Sequence, residues 1–196
     1  MADLIPIHTI GHSTRPIEEF LAILANYGIR ELVDVRTIPR SRHNPQFDQA
    51  NLPASLAARG IAYRHMPGLG GLRRPRADST NTGWRNSSFR GYADYMQTPE
   101  FARNLDELIR RGAESAIAIM CAEAVPWRCH RSLIADALIA RGIPVVEIIS
   151  GAEARPHAQT PFARLEGAQV TYPAVGRSSK GDEKRQLEFD GLERLS

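Results

Sequence analysis

Cysteine is scarce in this 196-residue chain: Cys121 and Cys129 make at most one disulfide, which excludes a disulfide-stapled scaffold and gives any importance the two have a chemical character. Long apolar runs are missing as well. Leu32 to Val35 and Ala116 to Cys121 fall far below the roughly 18 residues that span a bilayer, so no transmembrane helix and no membrane partner are expected. Met1 to Pro6 lacks a basic stretch leading into an apolar segment, and a cytoplasmic protein is the expectation. Lysine is nearly absent: of 25 basic residues only Lys180 and Lys184 are lysine, the remainder arginine. Internal repeats, helix-turn-helix, zinc-finger and RNA-recognition signatures are also lacking.

What is present is a core-forming composition, 42% hydrophobic, and a lopsided charge. Residues 36 to 90 hold ten arginines against Asp48 and Asp78, a surplus of eight positive charges in a chain whose total is only +3. A GC-rich genome explains arginine in place of lysine, but not this clustering. The segment draws anions, and the expected partner is an anionic small molecule or a nucleic acid.

Periodicity gives an α/β fold. Ile5 to Ile10 reads as a strand, a loop carries His12 and Ser13, and a helix with Pro16 at its first position ends at Gly28. Strands follow at Glu31 to Val35 and Ile61 to His65, with a short helix from about Pro53 to Arg59 between them. Residues 66 to 88, rich in Gly, Pro and Arg, form a long loop insertion expected to act as a cover. Thr98-Pro99-Glu100 starts a helix that Gly112 ends. Ser115 to Cys121 is a strand, Pro126 to Arg141 a helix, and Pro144 to Ile149 the last core strand. The expectation is a mainly parallel sheet of about five strands with helices on both faces over residues 1–150. An extension follows at 151–173, with a hairpin around Glu166-Gly167, and then a flexible tail at 174–196.

In such sheets ligands bind at the carboxyl ends of the strands. The loops at that end carry His12, Ser13, Arg36, Arg40, Arg42, His65, Gly70, Gly71 and the segment from Cys121 to Arg131. Pro126 as first helical residue would put Cys129 in the first turn, where free amides, the helix dipole, His130 and Arg131 favour a thiolate. Cys129 equally shares a helical face with Leu133 and Ala137, as a buried small hydrophobe would. Cysteine-phosphatase and rhodanese-type spacings both fail. Cys121 and Cys129 lack the spacing of a structural zinc site, yet with His130 and His12 they can meet in space, so Cys121, Cys129 and His130 are candidate metal ligands; no cofactor is otherwise expected. Asp34, inside an apolar strand, needs a partner. Glu123 is a candidate acid or base, or the anchor of Arg131 or Arg36.

Six ordered motifs carry a resemblance: Gly11-His12-Ser13, Asp34-Val35-Arg36 with Pro39-Arg40-Ser41, Leu69-Gly70-Gly71, Phe89-Arg90-Gly91-Tyr92, Cys121-Ala122-Glu123 and Cys129-His130-Arg131. Over about residues 7–150 the chain resembles the domain-of-unknown-function 488 family. The resemblance implies an α/β fold and puts His12, Arg36, Glu123, Cys129, His130 and Arg131 at motif positions; it implies no reaction. Val125 departs from it, since its side chain cannot cap the following helix. In the tail, Gln186 to Asp190 is similar to glutamine-leucine peptides that bind bacterial sliding clamps, although Asp190 stands where an apolar residue is usual.

The functional expectation is an enzyme acting on a phosphate-bearing, nucleotide-like or nucleic-acid substrate, with Cys129, His130 and Glu123 catalytic and His12, Ser13, Arg36, Arg42, Gly70, Gly71 and Arg131 binding it. The alternatives are a non-catalytic nucleic-acid-binding module and a metal-binding protein.

Overall fold

The computed structural model describes residues 5–174. Five parallel strands, β1 (Ile7–Gly11), β2 (Glu31–Asp34), β3 (Ala62–His65), β4 (Ile117–Cys121) and β5 (Val145–Ile148), lie in the order β3-β2-β4-β1-β5. A sixth strand, β6 (Ala154–Pro156), adds antiparallel to the edge of β5, one strand more than the sequence pattern predicts. Its three residues are too short and too polar to show alternation.

The period of two along the strands divides the core. Ile117, Ile119 and Cys121 of β4 join Val33, Val35 and Val145 under α3 (Ser87–Tyr95), α4 (Pro99–Glu114) and α5 (Arg131–Ala140). Ala118 and Met120 join Leu32, Ile10 and Ile148 under α1 (Ile17–Asn26) and α2 (Leu52–Ala57). A hairpin of β7 (Arg164–Glu166) and β8 (Gln169–Thr171), turning at Gly167 with φ +61°, packs Val170 and Tyr172 into the first cluster.

Helix boundaries follow local chemistry, with three departures from the sequence pattern. Thr98 caps α4 as expected, its Oγ1 accepting from the Phe101 amide at 3.2 Å. Gly112, however, does not end that helix, which runs on to Glu114; a Cβ there would stand 2.9 Å from Ile7, so the glycine serves close packing against β1. Pro16 is the residue before α1 and not its first turn, because its ψ of 144° is extended. The third departure bears on function. Pro126–Arg128 forms only a 3-10 turn, Cys129 is extended (φ −138°, ψ 145°), and α5 begins at Arg131. Val125 gives no side-chain cap, and neither does His130 before α5. Among the described residues no helix is long and apolar enough to cross a membrane. Residues 175–196, with Gln186 to Asp190, lie outside the described residues.

Candidate functional site

The carboxyl end of β2 carries the buried charge that the apolar strand required to be paired. Asp34 Oδ1 accepts from the Arg36 amide at 3.1 Å and from Arg36 Nε at 2.9 Å, and Oδ2 accepts from Arg36 Nη2 at 2.6 Å and the Tyr63 hydroxyl at 2.8 Å. Four donors on one carboxylate hold Arg36 in place, and its Nη2 also donates to the Phe47 carbonyl at 2.7 Å. Burial and the adjacent Asp34 carboxylate push the Tyr63 phenol up from its ordinary value.

Arg36 Nη1 lies 3.2 Å from His12 Nε2. Since a guanidinium only donates, Nε2 is the acceptor, and the imidazole proton sits on Nδ1, which donates to the Ser13 carbonyl at 2.8 Å. His12 is therefore neutral. Burial first, helped by the Arg36 and Arg131 charges, pulls its pKa from 6.5 to about 4 against the Ser13 bond. The ring stacks on Phe47 at 4.3 Å between centroids. Ser13 follows with φ +49°, a left-handed conformation costly for serine, held by its amide's bond to the Ala122 carbonyl.

On the opposite face of the sheet, Cys129 and His130 make a dyad. His130 Nε2 lies 3.1 Å from the Val35 carbonyl and donates to it, so in the neutral ring Nδ1 presents its lone pair to Cys129 Sγ at 3.7 Å. Arg131 is fully buried, its Nη2 donating to the Glu123 carbonyl at 2.6 Å and Nη1 reaching Thr9 Oγ1 at 3.5 Å. Its Nε has no partner, and among the described residues no carboxylate pairs with it. Cys121 Sγ completes the group: the ligand atoms of Cys121, Cys129 and His130 all lie within 4.8 Å of one another. Burial raises the Cys129 thiol, but the hydrogen bond from Cys121, the neighbouring His130 and the Arg131 guanidinium outweigh it and hold Cys129 well below the ordinary thiol range. Cys121, donor to that thiolate and itself buried, is pushed well above it. The helix-turn explanation for a low Cys129 pKa does not apply, since Cys129 precedes α5; its carbonyl instead accepts from the amide and hydroxyl of Ser132, both at 3.0 Å.

The structure thus brings Cys121, Cys129, His130 and Arg131 together on one face, and His12, Arg36 and Asp34 on the other. Strand alternation imposes the division, because Asp34 and Val35 point oppositely. Gly71 lies against the dyad, a Cβ there standing 3.1 Å from His130 Nδ1, and Gly70 packs against Thr37, whose hydroxyl donates to the Gly71 carbonyl at 2.8 Å. Arg42 and the Glu123 side chain are exposed, so Glu123 meets Arg131 through its carbonyl and not its carboxylate. The 66–88 loop is pinned rather than loose. Buried Asp94 accepts from the Arg76 amide, the Ser79 hydroxyl and the Asn81 amide side chain, and Trp84 stacks on Phe89 at 4.7 Å.

Tyr63, Phe47, Thr9 and Thr37 are the contributors that sequence reasoning missed. Only Tyr63 left a signal, as a polar-tipped aromatic on the strand beside Asp34. Two thiols and an imidazole nitrogen are a donor set for zinc with one position open, and a ring whose other nitrogen donates to a carbonyl is the usual arrangement of a ligating histidine. Against a divalent ion stands charge: two thiolates would be used up by the metal, leaving Arg131 buried without a counter-ion.

No curated protein and no solved structure matches the chain at a significant level. The family described as Domain of unknown function DUF488 matches residues 16–138, which takes in Asp34, Arg36 and the whole segment from Cys121 to Arg131 but leaves out His12 and Ser13. Matched over more than half its length, the chain belongs to the DUF488 family.

Proposed function

We propose that this protein is a thiol-dependent enzyme with Cys129 as nucleophile, acting on an anionic, phosphate-bearing or nucleotide-like substrate at the carboxyl end of the sheet. The observation that carries the reading is the fixed tautomer of His130: with Nε2–H committed to Val35, the Nδ1 lone pair faces Cys129 Sγ and is the proton acceptor for that thiol. The position of Arg131 supports it. A fully buried guanidinium with no carboxylate partner among the described residues favours the anionic form of a neighbouring thiol, here Cys129. His130 serves as proton partner, and Arg131 holds the negative charge on sulfur. Arg36 is committed to Asp34, so the substrate's charge falls to exposed arginines of the loop after β2, Arg40 and Arg42, with the exposed Glu123 carboxylate as acid or base.

The test measures thiolate ultraviolet absorbance of the Cys121→Ser protein against pH, together with alkylation by limiting iodoacetamide and peptide mapping of the wild type. Thiolate is expected at neutral pH, and Cys129 is expected to label before Cys121 and faster than in the unfolded chain. Absorbance that rises only in the ordinary thiol range, with labelling no faster than in the unfolded chain, overturns the reading. Binding of generic DNA or RNA with affinity falling steeply in salt, alongside an inert Cys129, assigns the chain to the binding-module class instead.

A further inference from the structure

Cys121 has no task in a mechanism that needs one nucleophile. It is the last residue of β4, on the same face of the sheet as Cys129, and the two sulfurs and the His130 ring nitrogen lie within 4.8 Å of one another. The backbone of each cysteine is held: the Cys129 amide donates to the Pro126 carbonyl at 3.0 Å and its carbonyl accepts from Ser132, while Cys121 is fixed by the pairing of β4 with β1 and by its carbonyl's bond from the His12 amide at 3.0 Å. A disulfide needs sulfurs about 2.05 Å apart, so the closing movement falls to rotation of the two side chains.

Cys129 is 4% and Cys121 8% exposed, and Gly71 backs onto His130 at the distance where even a methyl group would crowd the ring. A hydroperoxide's two oxygens ask for little room beside such buried sulfurs, and their reduction consumes the two electrons a thiol pair supplies.

We propose that Cys121 and Cys129 form a dithiol couple that reduces small hydroperoxides, with Cys129 attacking and Cys121 resolving. The step rests on Cys129 as the nucleophile of the preceding reading, with His130 Nδ1 at 3.7 Å from its sulfur. Cys129 sulfur attacks the terminal oxygen of ROOH, an S–O bond forms as the O–O bond breaks, and the alkoxide leaves as ROH with the proton that His130 took from Cys129. Cys121 sulfur then attacks the sulfenic sulfur, the S–S bond forms, and hydroxide leaves with the Cys121 proton as water. Two thiols and ROOH give one disulfide, ROH and water. A dithiol reductant restores the pair.

The experiment treats the reduced full-length chain with one equivalent of hydrogen peroxide at neutral pH. Expected are loss of both thiols, a mass decrease of about 2 Da, a proteolytic peptide joining residues 121 and 129, and recovery of both thiols with dithiothreitol. In Cys121→Ser the reaction should stop at a sulfenic acid on Cys129, about 16 Da heavier and trapped by dimedone. Thiol counting on the wild type alone decides the matter if that variant fails to fold. Survival of both thiols for as long as those of the unfolded chain overturns the proposal. So does disulfide formation between chains only, or stoichiometric zinc in the purified protein held by the same three residues. Fast alkylation of Cys129 without disulfide formation overturns the couple and leaves the nucleophile reading standing; slow alkylation defeats both.

Discussion

The carbonyl oxygen of Glu123 lies 1.7 Å from where a Cβ on Gly11 would stand, so the end of β1 and the loop after β4 touch backbone to backbone. The same carbonyl accepts from Arg131 Nη2, which makes Gly11 a support of the buried cation. Gly11→Ala forces that carbonyl away. Overpacking of this kind costs about 1–3 kcal/mol, and a backbone neighbour that cannot rotate aside puts the expected loss near the top of that range. Urea unfolding measures it, and a loss under about 0.5 kcal/mol would mean the loop shifts freely.

Asp34→Asn keeps the shape of the β2 carboxylate and removes its charge, leaving Arg36 buried without a counter-ion. Breaking a buried pair from one side costs about 3–5 kcal/mol, most of it the stranded charge. The expectation therefore includes a recovery: Asp34→Asn with Arg36→Met should regain part of the loss, because the double variant strands no charge, although the Phe47 carbonyl and His12 Nε2 lose their donor. Additive losses in the two single variants would contradict a coupled pair.

His157 supplies a pH dependence on the alkaline side. Its Nδ1 lies 2.7 Å from Glu147 Oε1 and its Nε2 2.9 Å from Asp136 Oδ1, so both nitrogens donate and the ring is an imidazolium. Burial opposes the charge, but the bonds to Asp136 and Glu147 outweigh it and raise the pKa from 6.5 to about 9. A raised folded-state pKa means the stabilisation is complete below pH 6.5 and is lost as pH rises through 9. The shift corresponds to about 3 kcal/mol. Asp136 also accepts from the Thr160 amide and the Tyr172 hydroxyl, so this loss loosens the extension from α5. Chemical unfolding at pH values from 6 to 10, wild type against His157→Gln, is expected to show the decline in the wild type alone.

The parallel sheet was legible because alternation and strand-helix spacing are local signals, and the gathering of motif residues at the strand ends follows from the sheet alone. Legible too was that Asp34 must be paired. Its partner Arg36 stands two residues on, at the spacing that returns a strand residue to the same face. Other features depended on tertiary geometry. That Cys129 precedes α5 turns on a 3-10 turn after Pro126, and proline is equally at home at the start of either helix. The split of the site between two faces follows the alternation of β2, but which loop residues join each face depended on tertiary packing. His157 carried no motif, and its two carboxylates come from α5 and β5, 21 and 10 residues away.

His12 sets the acidic counterpart. Its Nδ1–H is given to Ser13 and its Nε2 lone pair to Arg36, so a second proton would have to point at a guanidinium N–H that already occupies the place. The folded pKa of about 4 against 6.5 for the unfolded chain means that between these values the unfolded state holds the proton and the folded state does not. Stability is thus unaffected by this residue above pH 6.5 and falls as pH drops toward 4, by about 3 kcal/mol in all. Carboxylates titrate at the lower end of this range, and the difference between wild type and His12→Gln isolates the histidine. The Gln variant should lose the part of the decline that begins below pH 6.5 while keeping the carboxylate part. The imidazole proton resonance of His12 gives the direct reading: a midpoint near pH 6.5 in the folded protein would show a ring free to charge, and the Arg36 to His12 contact could not then hold as described.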